Sequence, residues 1–67
     1  MNLKINGKQI EIPASVKTVA ELLTHLGLDK KIVVVERNKD ILQKDDHQDT
    51  SVFDGDQIEI VTFVGGG

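Results

Sequence analysis

Apolar and polar residues alternate at the start of the chain, "MNLKINGKQIEIP", in two segments either side of Asn6-Gly7. That dipeptide readily supplies the two positive φ angles of a two-residue hairpin turn. With Asn6 and Gly7 as the loop, Leu3 faces Ile10 and Met1 faces Ile12, while Lys4 faces Gln9 and Asn2 faces Glu11. Directly opposed residues share a sheet face, so one face of the hairpin is apolar and the other polar.

The period changes after Pro13. In "TVAELLTHLGL" the apolar residues Val19, Leu22, Leu23 and Leu26 fall at the i, i+3, i+4, i+7 spacing of an amphipathic helix, about three turns long. Thr18 and Glu21 have the spacing of a capping box. Gly27 fits the left-handed residue that closes a helix, with Leu28 placed to fold back on the last turn. Such a helix must lie on a sheet to bury its stripe.

"KIVVVERN" carries four consecutive branched apolar residues, Ile32 to Val35, which suits a central strand covered on at least one face. Glu36 and Arg37 leave its parity open, since they cannot both point outward. A short fourth strand is expected around Ile41 and Leu42. "KDDHQDTSVFDGD" reads as a polar excursion with an apolar anchor at Val52-Phe53 and a tight turn at Asp54-Gly55-Asp56. The last strand is "QIEIVTFV", followed by Gly65-Gly66-Gly67. Hairpin, helix, strands and a right-handed crossover make a two-layer α+β domain, with one helix on one face of a mixed sheet of four to five strands.

Composition narrows the chemistry. A chain of 67 residues has room for one small core and little for an enclosed catalytic cleft. It has no cysteine, so disulfides, zinc-thiolate sites and thiol nucleophiles are excluded. Two aromatics, Phe53 and Phe63, and a net charge of -3 argue against nucleic acid; Lys30, Lys31 and Lys39 are too few for a basic surface. The N-terminus lacks the apolar run of a signal peptide and no segment approaches membrane-spanning length, so a cytoplasmic protein is expected. Asp45, Asp46, His47 and Asp49 match neither a calcium loop nor a zinc site; they are expected in a solvated loop, with no metal bound. His25 lies off the helical stripe, where Glu21 can pair with it.

Two features remain. If Ile58 and Ile60 face the helix, period two puts Val61 and Phe63 on the opposite face, which no second helix covers. They are either scattered surface apolars or, as we read them, a docking surface beside the tail. Three glycines contribute nothing obvious to folding. Either the tail is idle, or its backbone and carboxylate are the working parts.

The hairpin, the capped helix, "IVVVERNKDI" and "DGDQIEIVTFVGGG" together resemble the ThiS family, the ubiquitin-like sulfur carriers of thiamine biosynthesis, over the whole chain. Where many of its members carry Val-Pro-Arg after the third strand, this chain has Ile41-Leu42-Gln43, and it has three glycines where two are common. The resemblance implies a ubiquitin-like β-grasp domain over residues 1–64, with the last strand parallel to the first at mid-sheet, and a flexible tail over 65–67. It also implies a carrier and not an enzyme. A ThiF-type activating enzyme would use ATP to adenylate the Gly67 carboxylate, and a persulfide from a sulfur-donor protein would displace AMP. The resulting thiocarboxylate would supply sulfur to a ThiG-type thiazole synthase. Gly65 and Gly66 would thread the tail into these enzymes, and the chain itself would bind no cofactor. Three other readings stay open: a MoaD-like carrier for molybdopterin synthesis, a ubiquitin-like modifier, and a non-carrier β-grasp binding module with an idle tail.

Overall fold

The Asn6-Gly7 turn sets the first two strands. In the computed structural model, which describes residues 1–63, Asn6 and Gly7 have φ of 50° and 84°. They join β1 (Asn2–Ile5) to β2 (Lys8–Glu11) in the expected register, Asn2 opposite Glu11, Leu3 opposite Ile10 and Lys4 opposite Gln9. The pairing extends past both strands, because the Ile12 N–H donates to the Met1 carbonyl at 2.8 Å and the N-terminal ammonium donates to the Ile12 carbonyl at 2.9 Å. Leu3 and Ile12 are fully buried, whereas Lys4, Gln9 and Glu11 are exposed.

The helix α1 spans Val19–His25. Thr18 Oγ1 accepts from the Glu21 N–H at 3.1 Å, and Glu21 Oε1 accepts from the Thr18 and Lys17 N–H groups at 3.1 and 2.8 Å. This capping box satisfies free amides at the first turn. At the other end Gly27, at φ 75°, lets its N–H reach the Thr24 carbonyl and the Leu28 N–H reach the Leu23 carbonyl, at 3.0 and 2.8 Å. Those two bonds define a Schellman closure. With Thr18 and Leu26 serving as caps, the helix has seven residues, about two turns instead of the three expected. Glu21 is engaged by the backbone, and His25 stays exposed without it.

The remaining strands are β3 (Ile32–Arg37), β4 (Asp40–Leu42) and β5 (Gln57–Phe63). The sheet order is β2-β1-β5-β3-β4, with β5 parallel to β1 and antiparallel to β3. A parallel central pair, antiparallel flanks and one helix across the sheet constitute the expected β-grasp. The core gathers Val19, Leu22 and Leu23 of α1 against Leu3, Ile5, Val35, Ile58 and Ile60 of the sheet, with Ile12, Val16 and Val52 from the loops. Among the described residues no helix is long and apolar enough to cross a membrane. The boundary after Val64 and the tail Gly65–Gly67 lie outside the described residues.

The excursion before β5 departs from expectation in two places. Val52 is buried, but Phe53 is exposed, so only one of the pair is an anchor. His47, expected in a solvated loop, is also buried, and its Nε2 has no hydrogen-bond partner among the described residues. The cause lies in the backbone. The first N–H groups of a helix lack intrahelical partners; here the Val19 and Ala20 N–H groups donate to the Thr50 and His47 carbonyls, each at 2.9 Å. Capping the helix this way draws His47 inward, while Asp45, Asp46 and Asp49 stay exposed around a short 3-10 turn, Lys44–Asp46. No group of side chains among the described residues has the makings of a metal site.

The parity left open at Glu36 and Arg37 is decided by Asp56. Its Oδ2 accepts from Arg37 Nε and from the Phe53 N–H, both at 2.9 Å, and its Oδ1 accepts from Asn38 Nδ2 at 3.2 Å. Arg37 also lies over the Phe53 ring, 5.7 Å from its centre. Burial of Asp56 is the largest influence on its carboxyl and opposes ionisation. The Phe53 N–H, the Asn38 amide and Arg37 together outweigh it and hold the pKa below the ordinary 3.8. A folded pKa below the unfolded one adds stability that is present above the unfolded value and lost as pH falls through the folded one. Asp56→Asn is therefore expected to cost about 2 kcal/mol at neutral pH, measured by urea unfolding. The deficit should narrow near pH 3; a constant deficit would show that the carboxylate charge is not its source.

Candidate functional site

One helix covers one face of the sheet, and the composition of the other face follows from strand parity. On β5, Ile58 and Ile60 point to the helix and are 0% and 7% exposed, while Val61 and Phe63 are 54% and 52% exposed on the far side. Cross-strand pairing extends this apolar surface. Ile32 stands opposite Phe63, and Val34 opposite Val61. On the other side of β3, Ile41 of β4 stands opposite Glu36, on the same face as Val34. Ile32, Val34 and Ile41 are all exposed.

Val61 and Phe63 thus belong to a five-residue apolar surface over three strands, of which the sequence reading identified two members. Ile32 and Val34 were hidden inside an unbroken apolar run, read as a strand covered on at least one face with its parity left open. The signal was there: in a sheet covered by one helix, period two sends alternate members of "IVVV" to the open face. Ile41 gave less indication, because a three-residue strand has too little pattern to set its parity. A contiguous apolar patch of this kind marks an interaction surface more often than an idle one.

β5 is described to Phe63, and Val64 alone separates it in sequence from Gly65. The other candidate residues, Gly65, Gly66 and Gly67, lie outside the described residues. Nothing catalytic is assembled elsewhere in the described chain. His25 is a surface residue, His47 is enclosed by the loop that caps α1, and Asp56 is committed to Arg37 and Asn38.

Against known proteins, the ThiS family model matches residues 3–67, including the three glycines. The chain belongs to the ThiS family. It is 45% identical over 65 residues to the sulfur carrier protein ThiS of Bacillus subtilis (strain 168), covering 97% of this chain and 98% of that protein. A crystal structure of the thiamine biosynthesis protein ThiS from Geobacter metallireducens superposes with a TM-score of 0.83 at 38% identity, covering all of both chains. All of this chain also matches, at 48% identity, a fifth of the length of a thiazole synthase from Paramagnetospirillum magneticum (strain ATCC 700264 / AMB-1). As a ThiS-family member the chain is a sulfur carrier of thiamine biosynthesis, a small carrier and not an enzyme.

The parity of β5 has a direct test in stability. Phe63→Asp puts a charge on an exposed face, and its unfolding midpoint should fall by less than about 5 °C. Ile58→Asp buries an unpaired carboxylate and should abolish cooperative thermal unfolding. Circular dichroism melts of the two variants separate the faces, and a Phe63→Asp variant that unfolds would place Phe63 in the core.

Proposed function

We propose that the Gly67 carboxylate is the covalent sulfur site and that Gly65 and Gly66 carry it into the partner enzymes. The observation behind this reading is the family match, which runs through the glycine tail. A carboxylate is a poor acyl donor because its leaving group would be oxide. A ThiF-type enzyme would transfer AMP from ATP to the carboxylate, releasing pyrophosphate and leaving an acyl-adenylate. A persulfide on a sulfur-donor protein attacks the acyl carbon and expels AMP, giving an acyl disulfide. A thiol then cleaves the S–S bond, supplying two electrons and leaving a thiocarboxylate. Residues without Cβ suit a narrow channel, since an extended backbone can lie close to its walls. All of this takes place where ATP and the biosynthetic enzymes are, in the cytoplasm, and the chain needs no cofactor of its own.

The acceptor in this reading is a ThiG-type thiazole synthase. A segment like this chain makes up a fifth of two relatives named thiazole synthase. Joining two modules in one chain raises their effective concentration, which favours modules that act on each other. Recognition would use the open face of the sheet, because a tail of three glycines is too small for a specific complex. A surface containing Val61 and Phe63, on the strand that leads into the tail, would dock the domain and present the carboxylate together.

ATP–pyrophosphate exchange with the cognate activating enzyme tests the covalent site. Amidating Gly67 should abolish exchange and leave the melting curve unchanged; undiminished exchange by the amidated protein would refute the carrier terminus. Intact mass of the protein from cells should show one oxygen replaced by sulfur, and an isopeptide conjugate instead would favour a modifier. Phe63→Asp should weaken association with the enzyme by about 2 kcal/mol, read as a raised KM. An unchanged KM would place docking elsewhere.

A further inference from the structure

Asn6 does more than shape the hairpin turn. For the turn alone, Asp or Gly would serve as well. The Asn6 side chain instead crosses to the central strand, where Oδ1 accepts from the Ile60 N–H at 2.7 Å and Nδ2 donates to the Ile60 carbonyl at 3.1 Å. An N–H can only donate and a carbonyl only accept, so this pairing needs both halves of a carboxamide. Asp offers no donor to the carbonyl, and Gly offers neither group.

The position of this clamp in the sheet is what matters. The parallel pairing of β1 with β5 runs from Lys4–Gln57 to Ile5–Ile58, and the Asn6 N–H then donates to the Ile58 carbonyl at 2.9 Å. Beyond that point β1 has turned away into β2. The backbone groups of Ile60, a residue only 7% exposed, would face the vacated side with no strand to meet them, and the Asn6 amide takes the place of the absent strand. Backbone groups alternate along a strand, so those of Thr62 point to the same side, where no β1 residue stands opposite. Val61–Phe63 is thus paired on one side only, with Ile32–Val34. Among the described residues, the Asn6–Ile60 bonds are the last tie on the other side.

We propose that Asn6 is a positioning residue for the sulfur-carrying end of the chain: by holding both backbone groups of Ile60 it sets the course of the last strand toward the tail. This rests on the carrier reading above. Without the clamp, the final stretch of β5 is held by a two-stranded edge, which twists more and opens more readily than a sheet interior. The apolar side chains keep their places opposite β3, so docking is largely retained, while the course of β5 through Phe63 is less sharply defined.

The test compares Asn6→Gly and Asn6→Asp with wild type by amide hydrogen exchange and by ATP–pyrophosphate exchange. In Asn6→Gly the Ile60 amide should exchange about tenfold faster relative to the core amide of Ile58. The turnover rate at saturating carrier should fall about tenfold, with KM changed less than about threefold. Asn6→Asp keeps the turn and the acceptor for the Ile60 N–H, and should lie between Asn6→Gly and wild type; it carries the test alone if Asn6→Gly does not fold. An unchanged turnover rate in a folded variant, or a loss confined to KM, would overturn the positioning role even if the melting point drops. Absence of exchange by the wild-type protein would instead refute the carrier reading.

Discussion

A single seven-residue helix has to cover a five-stranded sheet, and it can cover one face. Most of the remaining architecture follows from this constraint. The covered face collects Leu3, Ile5, Val35, Ile58 and Ile60 under α1, and burial of these side chains supplies the main driving force for so small a chain, which has no cysteine for cross-links. The other face is left to water, yet it keeps Ile32, Val34, Ile41, Val61 and Phe63 exposed. A domain with so small a core thus carries apolar surface it does not bury.

Holding the helix on the sheet requires the irregular segment between β4 and β5. Its carbonyls at His47 and Thr50 receive the first amides of α1, and the Val52 N–H returns to the Lys17 carbonyl at 3.0 Å. At the end of the same segment, Asp56 joins the β3–β4 turn to the start of β5 through Arg37 and Asn38. The long loop thus ties both ends of the fold together, which explains how a polar stretch comes to contain two of the least exposed polar residues, His47 and Asp56. The central strand is fixed at its start by Asp56 and near its end by Asn6, leaving its final residues at the edge of what the domain holds.

Local chemistry made much of this legible beforehand. Asn6-Gly7 specified a turn, and the turn specified the pairing of every residue in β1 and β2, because hairpin register follows from loop length. Thr18, Glu21 and Gly27 marked the ends of the helix through hydrogen bonds reaching only a few residues along the chain. Alternation along β5 predicted which side of the sheet Val61 and Phe63 would take. The strand order and the function came differently, from resemblance to a family whose relatives share the whole length of this chain.

The sequence by itself determined the turn, the caps and the parities of β1, β2 and β5, because each depends on the conformational preferences of neighbouring residues. Only the tertiary structure decided that His47 is buried and Phe53 exposed, that Arg37 points inward to Asp56, and that Asn6 reaches Ile60. These depend on which unpaired backbone group or charge is brought alongside from a distant part of the chain. No local pattern encodes such a partner, since a donor or acceptor left free by one element is satisfied by whatever the completed sheet places next to it.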